Sequence, residues 1–331
     1  MRSAVTNDAA RDRSQGAAFP VVTVVTPSFN QGAFIEETIK SVLTQAGDFV
    51  LDYLIIDGGS TDQTLEIVRR YDRLIASKEL PLACRGTRFR WVSEKDRGQS
   101  DAIVKGMSRA EGTILAWLNS DDLFEDGAVG RAVAAFRDHP SAAVVYGGSV
   151  YIDETGQTVG RYPAEPFDRK RLAVANFISQ PSAFFSRAAY EKCGGVDVAF
   201  RYTMDYDLWI RLTQHGSFVY LPEDLSRFRL HDASKTVFPR YALENHRECL
   251  ATVRRYYGWA PLNRVAAYAY QVVRNALPAS CTHSLAVTVL LSLPVAAAHY
   301  LWYNKRIRID DLKMLTPANI RKLRNMERLW V

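Results

Sequence analysis

Residues 21–26 read VVTVVT and residues 51–56 read LDYLII, and these two apolar runs decide the expected fold. Each run suits a strand that is buried on both faces. Pro27 ends the first run, and apolar residues at helical spacing follow the two runs, over about 33–44 and 64–71. Two strand–helix units in succession predict an α/β fold with a parallel, doubly wound sheet.

The same alternation continues along the chain. Strand-like runs at 89–92 and 113–118 are each followed by a helical pattern, and all four runs end in small polar or acidic residues. Ligands of an open α/β sheet bind outside the carboxyl ends of its strands, so these four ends are expected to converge. Further along, the pattern predicts strands over 143–146, 178–186 and 217–221, a hairpin over 149–162 and a helix over 206–215.

The composition is that of an ordinary globular protein. Of the 331 residues, 47% are hydrophobic and 24% charged, which excludes a disordered or collagen-like chain. Because a single core stops growing at roughly 250–300 residues, we expect one large domain with an appendage. We assign a disordered tail without signal-peptide character to 1–19, a catalytic domain to 20–238, and a helical, basic and apolar region to 239–331.

The positive charge is concentrated in that last region. Residues 239–331 carry 14 Lys and Arg against 5 Asp and Glu, a net charge of +9. Because the whole chain has a net charge of +6, residues 1–238 have a net charge of −3. A basic region rich in Leu, Val, Tyr and Trp favours an anionic membrane surface over nucleic acid as partner. Residues 275–304 contain no charged side chain and exceed the roughly 20 residues that span a bilayer. An interfacial or re-entrant hairpin, a spanning helix and a helical pack against the main domain all remain open.

Four cysteines lie far apart and form no CxxC pair or Cys/His cluster. They are typical of buried apolar residues or idle thiols in a reducing compartment. We therefore expect a cytoplasmic protein, peripheral or anchored at the cytoplasmic face of the inner membrane.

The run LNSDD at 118–122 places two adjacent carboxylates directly after a predicted buried strand. Mg²⁺ and Mn²⁺ require hard oxygen ligands, and a short acidic turn can supply one or two while a diphosphate supplies others. A helix N-cap is the alternative.

The run DGGSTD at 57–62 combines a carboxylate at a strand end with two glycines that allow close approach of a ligand. Asp57 could accept the imide N–H of uracil or thymine, or a ribose hydroxyl, and Asp62 is more simply the N-cap of the next helix. No GxGxxG follows the first strand and no P-loop motif occurs, which argues against NAD enzymes and P-loop NTPases.

Five motifs, in order and over about residues 20–235, resemble the motif set of family 2 glycosyltransferases. They are TPSFNQ at 26–31, IDGGSTD at 56–62, SEKDRGQSDA at 93–102 with Lys105 and Gly106, NSDD at 119–122, and MDYDLW at 204–209. The resemblance implies a GT-A type mixed sheet, mainly parallel and Rossmann-like, with a helical C-terminal extension.

The resemblance also implies a donor site. Pro27, Phe29 and Asn30 match the first-strand loop that holds the nucleotide base, with Phe29 placed to stack on it. Asp57 matches an aspartate that contacts the base. Many relatives have a second aspartate where this chain has Gly58, so the identity of the base stays open.

The same resemblance assigns the chemistry. Asp122 matches the direct metal ligand, with Asp121 nearer the ribose or donor sugar, and the divalent ion neutralises the departing nucleoside diphosphate. Asp205 matches the general base that takes the acceptor's proton in an inverting transfer. A helix N-cap is the structural alternative for Asp205.

Further polar residues surround the expected crevice. Arg97 and Asp101 are expected to line the donor pocket, although Asp101 could equally cap a helix. His231 could bind the metal or donate to a diphosphate oxygen, with Arg229 or Lys235 clamping phosphates, or all three could lie in a surface loop.

The sequence therefore predicts a glycosyltransferase that moves one sugar from a nucleoside-diphosphate sugar, UDP- or dTDP-linked, to a glycan or lipid-linked acceptor of cell-envelope or exopolysaccharide synthesis. The absence of a QxxRW signature after Asp205 favours a single transfer per encounter. A nucleotidyltransferase, which would release pyrophosphate, and a catalytically silent sugar-nucleotide-binding module are the alternatives.

Overall fold

The computed structural model of the protein describes residues 2–6, 19–232, 239–278, 284–308 and 311. Two compact units divide these residues: the first comprises the chain up to Asp168 together with Phe177–Arg229, and the second comprises Arg169–Asn176 and the chain from Leu230 onward. The expected boundary near residue 238 lies close to the second transition, but outside the described residues.

The first unit is built on one mixed sheet of ten strands among the described residues. The strands are β1 (Arg2–Thr6), β2 (Val21–Ser28), β3 (Gly47–Asp57), β4 (Cys84–Ser93), β5 (Ile114–Trp117), β6 (Leu123–Phe124), β7 (Ala142–Ile152), β8 (Thr158–Arg161), β9 (Ala183–Ser186) and β10 (Ser217–Arg229). Their order is β1-β4-β3-β2-β5-β9-β7-β10-β6, with β8 paired to β7. The central strands β4, β3, β2 and β5 are parallel, as are β7 and β10, and the other pairs are antiparallel.

Ten helices accompany the sheet in the described residues. They are α1 (Ile35–Leu43), α2 (Thr64–Ala76), α3 (Gln99–Met107), α4 (Ala128–Asp138), α5 (Arg169–Val174), α6 (Arg187–Lys192), α7 (Met204–Leu212), α8 (Pro239–Tyr257), α9 (Leu262–Ala276) and α10 (Leu285–Asn304), with a 3-10 turn at Gln180–Ser182. The expected fold class, an α/β sheet with a helical C-terminal part, is the one observed.

The core of the first unit explains why the apolar runs form its central strands. Val22, Val24 and Val25 of β2 are fully buried, and so are most residues of β3. Trp117 and Trp209 stack in the same interior with ring centroids 5.8 Å apart, as expected for tryptophans inside elements. Continuous burial on both faces is the physical reason that these strands lack a polar alternation.

The structure differs from the sequence-based prediction in three segments. Arg2–Thr6, expected to be disordered, pairs antiparallel with β4, whose outer backbone groups would otherwise lack a strand partner. The predicted strand over 178–186 begins as the 3-10 turn, because Pro181 cannot donate to a ladder. β10 runs eight residues past the predicted end, with bulges that let it follow β7.

The register of the central strands sets the geometry of the site. Ser28 of β2 lies opposite Asp57 of β3, and Asp57 lies opposite Ser93 of β4. Three loops therefore leave the sheet side by side from one row of residues.

The second unit is helical. Leu250, Ala260, Val265 and Tyr300 form its small core, and Asn263 Nδ2 donates to the Val174 carbonyl at 2.9 Å, which ties α5 to α9. α10 is the one helix in the described chain that is long and apolar enough to cross a membrane by length and composition.

Candidate active site

The first two loops at the strand ends are tied together through Asn30. Its backbone N–H donates to Ser60 Oγ at 2.7 Å, and its side-chain oxygen accepts from Thr61 N at 2.9 Å. Asn30 adopts φ of +52°, a left-handed conformation that Asn tolerates better than most residues. This turn leaves the neighbouring Phe29 ring 58% exposed, while Pro27 is buried within β2.

Asp57 is fully buried, and its carboxylate is occupied by the protein. It accepts from Gly59 N at 3.0 Å, Ser60 N at 2.9 Å, Ser60 Oγ at 2.5 Å and Ser93 Oγ at 2.6 Å. Three of these bonds reach Oδ2 and one reaches Oδ1, and together they compensate the carboxylate for its removal from water. The structure thus gives Asp57 a structural role beside its predicted contact with the base: its side chain holds the loop after β3 and ties it to the end of β4.

Asp62 lies one residue before the N-cap position of α2, which Gln63 occupies, so the N-cap prediction for Asp62 is off by one residue. Its Oδ1 accepts from Thr64 N at 3.0 Å, and its Oδ2 accepts from Gly32 N at 2.8 Å. The carboxylate therefore joins the start of α2 to the first loop.

The two carboxylates of the acidic turn lie in different surroundings. Asp122 is fully buried, with Oδ1 accepting from Arg229 N at 3.0 Å and Oδ2 from Asn119 Nδ2 at 3.1 Å. Burial raises the pKa of Asp122 well above its ordinary value, and the neighbouring Asp121 charge raises it further. Asp121 is half-buried. β6, not a helix, follows the turn, so neither aspartate is a helix N-cap.

Arg229, expected to clamp phosphates, is instead a buried organiser of this turn. It is fully buried, and its guanidinium donates to the carbonyls of Asp121 at 3.0 Å, Asp153 at 3.1 Å and Glu154 at 3.0 Å. It also pairs with Glu37 at 2.7 Å. A guanidinium group is costly to bury unless its N–H groups are hydrogen-bonded, and these contacts supply the partners for Arg229.

A chain of side-chain amides joins the acidic turn to its neighbours. Gln99 Nε2 donates to Asn119 Oδ1 at 2.7 Å, Asn119 Nδ2 donates to Gln180 Oε1 at 3.2 Å, and Gln180 Nε2 donates to the Trp117 carbonyl at 2.7 Å. Sequence reasoning gave Gln99 and Asn119 no role. Gln99 directly follows a glycine and Asn119 directly follows a buried strand, and these positions are the signal by which the sequence could have identified them.

Asp205 and Asp207, both in the first turn of α7, also differ in burial. Asp207 is fully buried and pairs with Arg211, Nε to Oδ2 at 2.8 Å. Asp205 is half-buried, and Thr203 occupies the N-cap position that was the alternative for Asp205. Ser100 Oγ donates to Met204 Sδ at 3.0 Å and so brings the start of α3 to the start of α7.

Arg97 and Asp101, expected in the donor pocket, bind each other. Arg97 Nη2 donates to Asp101 Oδ1 at 2.7 Å, and Arg97 N donates to Oδ2 at 3.2 Å. The Arg97 side chain, 79% exposed, holds the pKa of Asp101 at about 2. Asp101 thus stabilises the first turn of α3, which was its structural alternative.

His231 is buried and belongs to the second unit, and Lys235 lies outside the described residues. Within the described ranges, no group of three or more His, Cys, Asp or Glu side chains could hold a metal ion. An ion of the Mg²⁺ type binds one or two carboxylates and takes its other ligands from substrate phosphates and water, so the acidic turn at Asp121 and Asp122 has the donor chemistry to contribute to such a site.

Comparison with known sequences agrees with this architecture. The sequence profile of Glycosyl transferase family 2 matches residues 23–194, just over half of the chain. A PGL/p-HBAD biosynthesis glycosyltransferase of Mycobacterium bovis is 29% identical over 204 residues, which cover 61% of this chain and 73% of that protein. A chondroitin synthase of Escherichia coli is 26% identical over 66% of this chain, but this covers only 30% of the synthase.

Solved structures show the same fold. S. aureus TarS 1–349 in complex with UDP-GlcNAc superposes with a TM-score of 0.55 at 15% identity, over 84% of this chain and 81% of TarS. The mannosyltransferase PcManGT from Pyrobaculum calidifontis, in complex with GDP-Man and Mn²⁺, gives a TM-score of 0.54 at 19% identity, over 86% and 82% of the two chains. The GT-A type fold and the resemblance found in the sequence are confirmed, and this chain belongs to glycosyl transferase family 2.

Proposed function

We propose that the protein transfers one sugar from a nucleoside-diphosphate sugar to an acceptor hydroxyl with inversion at the anomeric carbon. One observation carries the proposal: hydrogen bonds link the loops that bear Phe29, Asp121 and the start of α7 around the carboxyl ends of the central strands. This edge is where an open α/β sheet binds ligands.

In this proposal Phe29 stacks on the base, and Asp121, not the expected Asp122, holds the divalent ion with the donor's diphosphate. The reassignment follows from burial, since both oxygens of Asp122 already accept hydrogen bonds from the protein. When bound, Mg²⁺ or Mn²⁺ stabilises the negative charge on the departing nucleoside diphosphate. Arg229 and Asn119 keep Asp122 fixed and thereby orient Asp121.

Asp205 acts as the general base. Inversion requires a carboxylate on the sugar face opposite the leaving group, where it takes the proton as the acceptor oxygen attacks. Asp207 is unsuited to this role, because it is buried and paired with Arg211.

Product analysis tests the reaction class. The wild-type protein with Mn²⁺ and a panel of sugar nucleotides is expected to release nucleoside diphosphate, and NMR of the glycoside product should show the anomeric configuration opposite to that of the donor. Release of pyrophosphate would indicate the nucleotidyltransferase, and binding without any product would indicate the silent module. A retained anomeric configuration would refute inversion.

A substitution tests the base. Asp205→Asn is expected to bind donor within twofold of wild type but to transfer at least about 100-fold more slowly, because it cannot accept the proton. Glu191→Gln, which changes an exposed carboxylate of α6, is the matched control and should leave turnover unchanged. Transfer by Asp205→Asn within threefold of wild type would remove Asp205 as the base.

We place the acceptor on a glycan or lipid-linked intermediate of cell-envelope or exopolysaccharide synthesis, at the cytoplasmic face of the membrane. Support comes from the chondroitin synthase among the relatives and from α10. The buried face of α10 carries small and polar residues and its exposed face carries large apolar ones, the reverse of a helix in a water-soluble protein. Thr288, Ser292 and Ala296 face the protein, whereas Leu290 and Leu293 are 67% and 59% exposed. Small and polar residues inside, with leucines outside, are typical of helix packing in lipid.

A further inference from the structure

A carboxylate from the third loop lies against Gly58 at the end of β3. A Cβ atom on Gly58 would come within 2.7 Å of Asp96 Oδ2, which is closer than Cβ atoms normally approach another atom, so the Asp96 carboxylate would have to move. Asp96 therefore occupies the space into which a side chain at position 58 would project. Its other oxygen, Oδ1, accepts from Gly98 N at 2.8 Å and fixes the orientation of the group.

Asp96 and the neighbouring Asp57 differ in how many of their carboxylate oxygens accept hydrogen bonds. All four hydrogen bonds to Asp57 come from the protein's own loops. Asp96 is half-buried, and among the described residues its Oδ2 accepts no hydrogen bond. At this part of the sheet edge, Asp96 Oδ2 is thus the carboxylate oxygen open to a ligand.

The position of this oxygen suits a nucleobase. Ser28, Asp57 and Ser93 form one row across β2, β3 and β4, so the loop bearing Phe29 and the loop bearing Asp96 begin about two strand spacings, or 10 Å, apart. A base stacked on the exposed Phe29 ring would extend its edge across β3 towards Asp96.

On the basis of the proposed function, we propose that Asp96 reads the base of the donor by accepting an N–H from its Watson–Crick edge. A fixed carboxylate oxygen favours uracil, thymine or guanine, which present an N–H there, over cytosine and adenine, which present a ring acceptor at the equivalent position. Gly58 is the enabling residue, because any side chain there would displace Asp96.

Calorimetric titration of nucleoside diphosphates with Mn²⁺ tests the assignment through two matched pairs, UDP against CDP and GDP against ADP. Wild type is expected to bind one N–H-bearing member at least about tenfold more tightly than its partner, the size of one hydrogen bond to a charged group. Asp96→Asn keeps an oxygen for Gly98 but places an N–H donor towards the base, so the preference should fall below about twofold.

Gly58→Ala is the second variant. Its methyl group would displace the Asp96 carboxylate from the position that Gly98 N holds, without removing any chemical group, and it should reduce the same preference. Glu94→Gln removes a carboxylate two residues from Asp96 that pairs with Lys105, and as the control it should keep the wild-type preference.

A UDP-to-CDP and GDP-to-ADP ratio near one in wild type, or a preference that survives both Asp96→Asn and Gly58→Ala, would overturn the assignment while leaving the glycosyltransferase proposal in place. Failure of wild type to bind any of the four nucleotides would instead overturn the proposed function and the assignment with it.

Discussion

Two pairs of aspartates that lie close in the sequence differ in burial. Asp122 and Asp207 are fully buried and bonded to protein groups, whereas Asp121 and Asp205 are half-buried. A carboxylate can leave water only if the protein supplies its hydrogen bonds, so each buried member has a structural role. In the proposed mechanism, the half-buried member of each pair carries the chemistry.

Substitution of the acidic turn separates the two proposed roles. Asp121→Asn is expected to lower Mn²⁺-dependent turnover at least about 100-fold with an unchanged melting temperature, since it removes the proposed metal ligand. Asp122→Ala leaves Arg229 N without an acceptor and removes one of the two acceptors of Asn119 Nδ2, and it should lower the free energy of unfolding by about 1–3 kcal/mol. Turnover and urea denaturation measure the two effects. Full metal-dependent turnover in Asp121→Asn would contradict the assignment of the ligand.

Among the elements, α10 has the most unusual surface. One stripe at i, i+4 spacing, Thr288, Ser292, Ala296 and Tyr300, is buried. It belongs to the contact between α10 and α9, and the hydroxyls of Thr288 and Ser292 donate to carbonyls one turn earlier. The remaining surface is apolar, and Lys305, Arg306 and Arg308 follow directly. Apolar exposure next to basic residues matches the core and headgroup layers of an anionic bilayer.

Charges on the exposed face of α10 should abolish the proposed membrane attachment. Leu290→Glu with Leu293→Glu is expected to reduce sedimentation with phosphatidylcholine/phosphatidylglycerol vesicles at least tenfold, because each carboxylate would enter hydrocarbon. A control, Leu290→Ile with Leu293→Ile, should sediment like wild type. Carbonate washing then separates insertion from surface binding. Equal sedimentation of the glutamate variant and wild type would show that this face contacts no membrane.

The chain combines a mildly acidic region, up to residue 238, with a basic region from residue 239 onward, and acid is expected to act on the basic region through His246. Burial, with a contribution from the Arg264 charge, lowers the pKa of His246 to about 4. The unfolded side chain titrates near 6.5, so between pH 6.5 and 4 the unfolded state binds more protons. Stability from this residue is complete above about pH 6.5 and declines as the pH falls towards 4.

Replacing the imidazole should flatten that dependence. Between pH 7.5 and 5.0, wild type is expected to lose about 1–2 kcal/mol of unfolding free energy that His246→Gln retains, because glutamine cannot take up the proton. Urea titrations at both pH values, followed by circular dichroism, give the comparison. An identical loss in wild type and variant would assign the acid sensitivity to other groups.

Local pattern was sufficient for the central strands, for most helices near them and for the family. A continuous apolar run rich in β-branched residues, such as residues 21–26, favours a strand buried on both faces, and the motifs follow these runs in fixed order. The edge strand Arg2–Thr6 escaped prediction because its pairing depends on β4, more than 80 residues away, and not on its own composition.

Local sequence pattern could not predict which of two identical side chains is buried and which is partly exposed. Asp121 and Asp122 have the same side chain and are adjacent in sequence, and their different burial depends on contacts such as that with Arg229, which lies 107 residues from Asp122. The contact of Asp96 with Gly58 likewise exists only because β3 and β4 are paired in register. Hydrophobic periodicity is a local property of the chain, but desolvation of a charge depends on every group that folding packs around it. This is why the strands could be predicted from the sequence, whereas the different burial of Asp121 and Asp122 could not.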